Sequence, residues 1–153
     1  MSKGLTMTVE GADELRRALK KLGEAAAGRT AREAMKTGGG VLLEFMQANI
    51  VEADLVDTDN LLNNWTVEND GDLAAVVGTT TPYAAIHEFG GTVNAKTGGW
   101  LRFQTADGSW HTVKSVTIPA RPYIRPAIDE HSKDVSEAVA EVIRDEIKRL
   151  VKP

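Results

Sequence analysis

Two short blocks constrain this chain more than any other part of it. They are Tyr83-Ala84-Ala85-Ile86-His87-Glu88-Phe89-Gly90-Gly91 and Ile118-Pro119-Ala120-Arg121-Pro122-Tyr123-Ile124-Arg125-Pro126-Ala127. In the first, Pro82 can start a helical turn, and Tyr83, Ile86 and Phe89 fall on adjacent faces of it. Gly90 is then expected to supply a left-handed C-terminal stop. In the second, three prolines in eight residues fix φ and favour extended backbone, so the chain leaves the preceding strand along a defined path. Pro126 suits the first turn of a closing helix. One reading of this block is a rigid corner. The other is a stiff exposed segment in which Arg121, Tyr123 and Arg125 form a low-entropy docking element for a neighbouring subunit. Glu88 reads either as a solvated acid or as the bidentate partner of Arg121 or Arg125, which would lock the two blocks together.

The remaining chain supplies the elements around these blocks. Leu5-Thr6-Met7-Thr8-Val9 alternates apolar and polar, as a half-buried strand does. A helix is expected over 12–22 and a second over 29–50, the latter carrying Ala31, Met35, Val41, Leu42, Phe45 and Ile50 at a helical period. Gly38-Gly39-Gly40 interrupts it. Each glycine costs about 1 kcal/mol against alanine in a helix interior, so a break, a kink or a close helix crossing is expected there. A phosphate-cradling loop would need a following Lys-Ser or Lys-Thr, and Val41-Leu42 stands there instead. Asp57-Thr58-Asp59-Asn60 is a turn or cap cluster. Strands are expected over 64–68 and 73–77, joined through Asn69-Asp70-Gly71-Asp72, and over 100–104 and 110–114, turning at 106–109. The last strand continues to Ile118, where Pro119 removes a ladder donor. Ile128, Val135, Val139, Val142, Ile143, Ile147 and Leu150 form the apolar stripe of the final helix. The expected fold is α+β: a mostly antiparallel sheet of about five strands, two N-terminal helices and a long C-terminal helix. At 153 residues, one domain spanning 1–153 is expected.

Charge is unevenly distributed. No Lys or Arg lies between Lys36 and Lys96, whereas nine acids fall there: Glu44, Glu52, Asp54, Asp57, Asp59, Glu68, Asp70, Asp72 and Glu88. An acidic surface can serve solubility alone, meet a basic partner, or line a conduit through which DNA slides without sticking. Asp54, Asp57, Asp59, Glu68, Asp70 and Asp72 are the candidate channel-facing acids. A phosphate-gripping groove would be rich in Lys and Arg, so sequence-specific DNA binding is not expected. Zero cysteines exclude disulfides and thiolate chemistry. No apolar run approaches membrane-spanning length, and no apolar signal region follows Met1-Ser2-Lys3-Gly4. His87-Glu88 begins like a zinc-protease motif, yet the second histidine would have to stand where Gly91 does. His111 and His131 fall on separate elements. No Gly-x-Ser-x-Gly elbow is present. Neither an enzyme, a metal site nor a cofactor is expected.

Tyr83–Gly90, Ile118–Ala127, the degenerate cap Asp57-Thr58-Asp59-Asn60-Leu61 and the opening Met7–Leu15 together resemble the tail-component family of tailed bacteriophages. Ile86-His87 and Ile118-Pro119-Ala120-Arg121-Pro122 also fit a Mu-like virion morphogenesis family. The resemblance implies a structural virion protein at the neck or at tail completion, made in the host cytoplasm. It implies a homo-oligomeric ring around the DNA channel, with head connector or stopper proteins on one side and tail terminator or tail tube proteins on the other. Tyr83, Glu88, Phe89, Gly90, Arg121, Pro122, Tyr123 and Arg125 are then the residues expected at subunit or partner contacts. The alternatives are a tail terminator or head-closure protein, a DNA-binding accessory protein and a small hydrolase.

Overall fold

The computed structural model describes residues 5–10, 24–55, 60–105 and 107–151. The helix expected over 12–22 lies outside these residues, as do Asp57 and Asp59. Along the chain the elements are β1 (Leu5–Glu10), α1 (Glu24–Glu52), α2 (Asn60–Asn63), β2 (Trp65–Asn69), β3 (Ala74–Thr79), α3 (Ala84–Phe89), β4 (Gly91–Asn94), β5 (Leu101–Gln104), β6 (Trp110–Val113), β7 (Ser115–Ile118) and α4 (Ile124–Val151). The class is α+β, as expected. Two compact units divide it: Met1–Pro82 with Tyr123–Pro153, and Tyr83–Pro122.

In the first unit, β1, β3 and β2 form an antiparallel sheet with β3 in the middle. The register sets Val77 opposite both Met7 and Val67, so the period-two pattern puts Val67, Ala75 and Val77 on one face. That face packs on α1. The buried stripe of α1 is Ala31, Ala34, Met35, Leu42, Met46 and Ile50, with Val41 and Phe45 half-buried beside it. On the other side α1 meets α4, where the Phe45 and His131 rings stack with centroids 3.5 Å apart. Burying side chains such as Met35, Met46 and Ile50 contributes about 1.5–3 kcal/mol each.

The triple glycine neither breaks nor ends α1, which runs unbroken from Glu24 to Glu52. It is a close crossing instead. A Cβ on Gly38 would lie 2.6 Å from Val139 Cγ2 of α4, and one on Gly39 would lie 2.7 Å from Val67 Cγ1 of β2. Successive residues thus face opposite neighbours, and each needs the missing methyl. Gly40 has nothing within 4 Å.

The C-terminus of α1 is closed without glycine. Leu55 N–H reaches Ile50 O at 3.1 Å and Asp54 N–H reaches Val51 O at 3.1 Å, the paired bonds of a Schellman cap. Asp54 takes the positive-φ position at 53°. Leu55 and Ile50, which flank the cap, are both buried.

The second unit holds α3 and four short strands. β4 pairs with β7 and β5 with β6, each antiparallel, as two separate two-stranded ladders. The sheet expected as about five strands is therefore seven strands in three sheets among the described residues. Two local causes account for the difference. The strand expected to run on to Ile118 is interrupted at Lys114, and the Gly-rich stretch after Gly90 contains β4. On the final helix, Ile124, Ala127 and Val135 are buried while Ile128 is exposed, because the helix begins at Ile124 and its inward face is set from there.

Alanine at the three glycines separates propensity from packing. Gly40→Ala should stabilise the chain by about 0.5–1 kcal/mol. Gly38→Ala and Gly39→Ala should each destabilise it by about 1–3 kcal/mol, since stiff valines must move. Urea unfolding of the three variants measures the contrast.

Candidate functional site

The second unit brings the first block and the opening of the second into direct contact. Arg121 N–H donates to His87 C=O at 2.7 Å, tying the strand exit to the last turn of α3. β4 starts at Gly91, which pairs with Ile118. Between these two ties sits Gly90, with φ 69° and ψ 178°. This is not the left-handed stop expected from sequence. It is the extended positive-φ region that is essentially confined to glycine, and it sends the chain from helix directly into strand. A Cβ here would lie 2.7 Å from Ala120 N and 3.1 Å from Ile118 O. Conformation and space both require glycine.

His87 lies inside this junction. Its ring meets Tyr83 edge-on at 5.8 Å, and its Nδ1 is buried with no hydrogen-bond partner among the described residues. Burial, followed by the nearby Arg121 guanidinium, holds its pKa below the usual histidine value. Glu88 is only 5% exposed, which corrects the solvated reading; it stands one turn after Ala84, on the buried side of α3. Phe89 points the other way and is 64% exposed. Tyr83 is half-buried, whereas Arg121 and Pro122 are exposed.

Tyr123 corrects the exposed docking segment. It is 0% exposed and belongs to the core of the first unit. Trp65 packs edge-on against its ring at 6.1 Å, and Asn49 Nδ2 donates to its carbonyl at 3.0 Å. Trp65 in turn donates from Nε1 to Leu61 O at 2.6 Å. Ile124 and Ala127 follow into the same core, and Arg125 is exposed at the start of α4. Pro126 lies in the first turn, where its missing N–H leaves no helical bond unmade. The second block is therefore a corner followed by an anchor.

The described candidate channel acids, Asp54, Glu68, Asp70 and Asp72, are all exposed in the first unit. Asp72 pairs with Arg32 at 2.5 Å. Among the described residues, no group of three or more His, Cys, Asp or Glu is placed to hold a metal ion. No helix there is long and apolar enough to cross a membrane. The two blocks do not point to Trp100 and Trp110, which are 62% and 59% exposed. The signal that could have found them is the alternation of Trp and basic residues on the two arms of the second hairpin.

Residues 13–90 match the family described as "Bacteriophage HK97-gp10, putative tail-component". The chain belongs to this family. A Mu-like prophage FluMu G protein 2 of Haemophilus influenzae is 39% identical over 70 residues. That alignment covers 46% of this chain and 38% of the relative. No solved structure matches. Membership in the HK97-gp10-like tail-component family gives the chain a structural, tail-related role in a bacteriophage. The family match ends at Gly90. It therefore contains α3 and its glycine exit, while the proline corner lies beyond it.

Two outcomes test the junction. Gly90→Ala should cost about 3 kcal/mol or more, making residues 83–122 sensitive to limited proteolysis. Gly98→Ala, at φ 78° with nothing within 4 Å, is the milder control. His87 gives a pH signature. Its folded pKa is depressed, so acid protonates the unfolded chain first. Stability should be level above about pH 6.5 and fall as pH drops from there towards the folded pKa. Thermal unfolding from pH 8 to 5 should show that His87→Gln removes this part of the acid sensitivity.

Proposed function

We propose that the protein is a neck or tail-completion component of a tailed bacteriophage. Copies of the chain form a ring around the DNA channel, and the ring joins the head connector or stopper to the tail terminator or tail tube. The observation that carries this reading is the junction at Gly90. Its specific chemistry fixes backbone: a glycine-only turn, an N–H to C=O tie, and a ladder starting at the next residue. Such a device holds a building block in one shape and presents Phe89, Arg121 and Pro122 at its surface. The protein acts by geometry and not by catalysis.

The acids of the first unit support the channel part of the reading. Asp54, Glu68, Asp70 and Asp72 are exposed; in this reading they, with Asp57 and Asp59, face the channel, where carboxylates repel phosphate and let DNA slide. Assembly takes place in the host cytoplasm, and the finished protein resides in the virion.

A phage or prophage lacking this chain should release filled heads and separate tails that do not join, and supplying the chain in trans should restore joined particles. Electron microscopy of particles carrying a labelled copy should show one collar of label at the head–tail junction. Label distributed along the tube, or confined to the far tip, would reject the placement.

A further inference from the structure

We infer that the outer face of the β5–β6 hairpin docks on an acidic stripe of α4 in a second copy of this chain. This rests on the ring reading above and names the contact that would build the ring. The strand register puts Arg102, Gln104, Trp110 and Thr112 on one face, and Leu101, Phe103, His111 and Val113 on the other. Trp100 and Lys114 extend the first face, since Lys114 Nζ lies 3.9 Å from the centre of the Trp100 ring. Arg102 covers Trp110 in the same way at 4.6 Å. All six residues of this face are exposed, and none is acidic. Leu101, Phe103 and Val113 on the opposite face are half-buried. Two exposed indoles flanked by cations are the composition of an interface hot spot.

At the turn of the ribbon, Asp107 is bonded to its neighbours. Asp107 accepts from Thr105 Oγ1 at 2.6 Å and from Ser109 N–H at 3.1 Å, and these bonds hold its carboxyl below the usual range. Gly108 closes the turn at φ 83°.

The complementary surface lies on α4. Glu130, Asp134, Glu137 and Glu141 are all exposed. Their i, i+4, i+7, i+11 spacing keeps them within about 60° of arc on a helix and extends about 16 Å along it. The hairpin face from residue 100 to 104 spans about 13 Å, so the lengths match. Asp134 and Glu137 hold exposed pairs with His131 at 2.9 Å and Arg144 at 2.5 Å. Exposed pairs of this kind are weak and can exchange for Arg102 and Lys114.

Charge segregation selects a second copy as the occupant. Residues 83–122 carry four basic and two acidic side chains, whereas the rest of the chain carries 14 basic and 20 acidic. A rotational ring needs two different patches on each copy that fit one another, and the hairpin and α4 supply them. Nucleic acid also favours aromatic faces with cations. This face has only two cations, Arg102 and Lys114, too few for a surface that grips a phosphate backbone.

Sedimentation of the purified full chain at low and high salt tests the pairing. The wild-type chain should self-associate, more strongly at low salt, and Trp110→Ala should weaken this at least about tenfold. R102E/K114E and E130K/E141K should each abolish it, and an equimolar mixture of the two should restore it. Circular dichroism of each variant checks that these exposed changes leave the fold intact. Association that survives all the substitutions would overturn the pairing while leaving a ring built through other surfaces. A wild-type chain that stays monomeric up to about 1 mM, too weak for any specific contact, would overturn it too, and the particle label would still judge the ring separately. Binding to a short DNA duplex that is lost in R102E/K114E and kept in E130K/E141K would make nucleic acid the occupant and also reject it.

Discussion

The distance between α1 and its two neighbours is fixed by side chains that are absent. Gly38 admits Val139 of α4 from one side, and Gly39 admits Val67 of β2 from the other. A helix of ordinary residues can be pressed this closely on one flank, where a stripe of alanines serves. Being gripped on two flanks at the same level takes consecutive residues without Cβ atoms, because neighbours in sequence are about 100° apart on a helix. The propensity lost is about 1 kcal/mol per glycine. The core formed around Ala31, Met35 and Ala75, with Val67, Val139 and Ile143 packed on it, offsets this many times over. The position of α4, and with it the acidic stripe on its solvent side, follows from that contact.

The chain passes between its two units at residues 82–83 and 122–123, and the first unit braces both points. Before the first, Thr79 and Thr81 are buried and bonded: Thr81 N–H donates to Thr79 Oγ1 at 3.1 Å, and Asn64 Nδ2 donates to Thr81 Oγ1 at 3.2 Å. After the second, Tyr123 is enclosed completely, with its carbonyl held by Asn49. Between them Gly90 performs the corresponding task inside the second unit. The two sequence blocks are thus read best as fixings, and their polar and aromatic residues divide between burial and display. Glu88 and Tyr123 are buried, while Phe89 and Arg121 are displayed.

What was legible in the sequence follows the range of the forces involved. The β2–β3 hairpin, the start of α4 near its proline and the alternation along the first sheet's middle strand are local, written in turn residues and alternation over a few positions. The two blocks were legible as a pair because glycine and proline restrict backbone wherever they occur. The state of the triple glycine was not, since propensity disfavours a helix there and only partners at Val67 and Val139, distant in sequence, decide the matter. Tyr123 misled for a related reason. A tyrosine flanked by arginines and prolines looks exposed by composition, and its burial depends on Trp65 and Asn49 from other elements. The break at Lys114 carries no local marker.

Charge placement ties the fold to assembly. A two-stranded hairpin with exposed indoles is marginal on its own, and here Lys114 and Arg102 cover those rings while keeping them accessible. Each cation therefore shields an apolar surface in the single copy and is available to a carboxylate in an assembled one. The cost of uncovering an indole is small because a cation–π contact at an exposed site contributes only about 0.5–1 kcal/mol. The gain on association combines burial of two large rings with charge pairing, and only the second part is screened by salt. A contact of this kind stays weak between dilute copies and strengthens when a neighbouring template holds them side by side, because the second and later contacts become effectively intramolecular. That is the behaviour a ring component needs if it is to remain unassembled until the rest of the particle is ready.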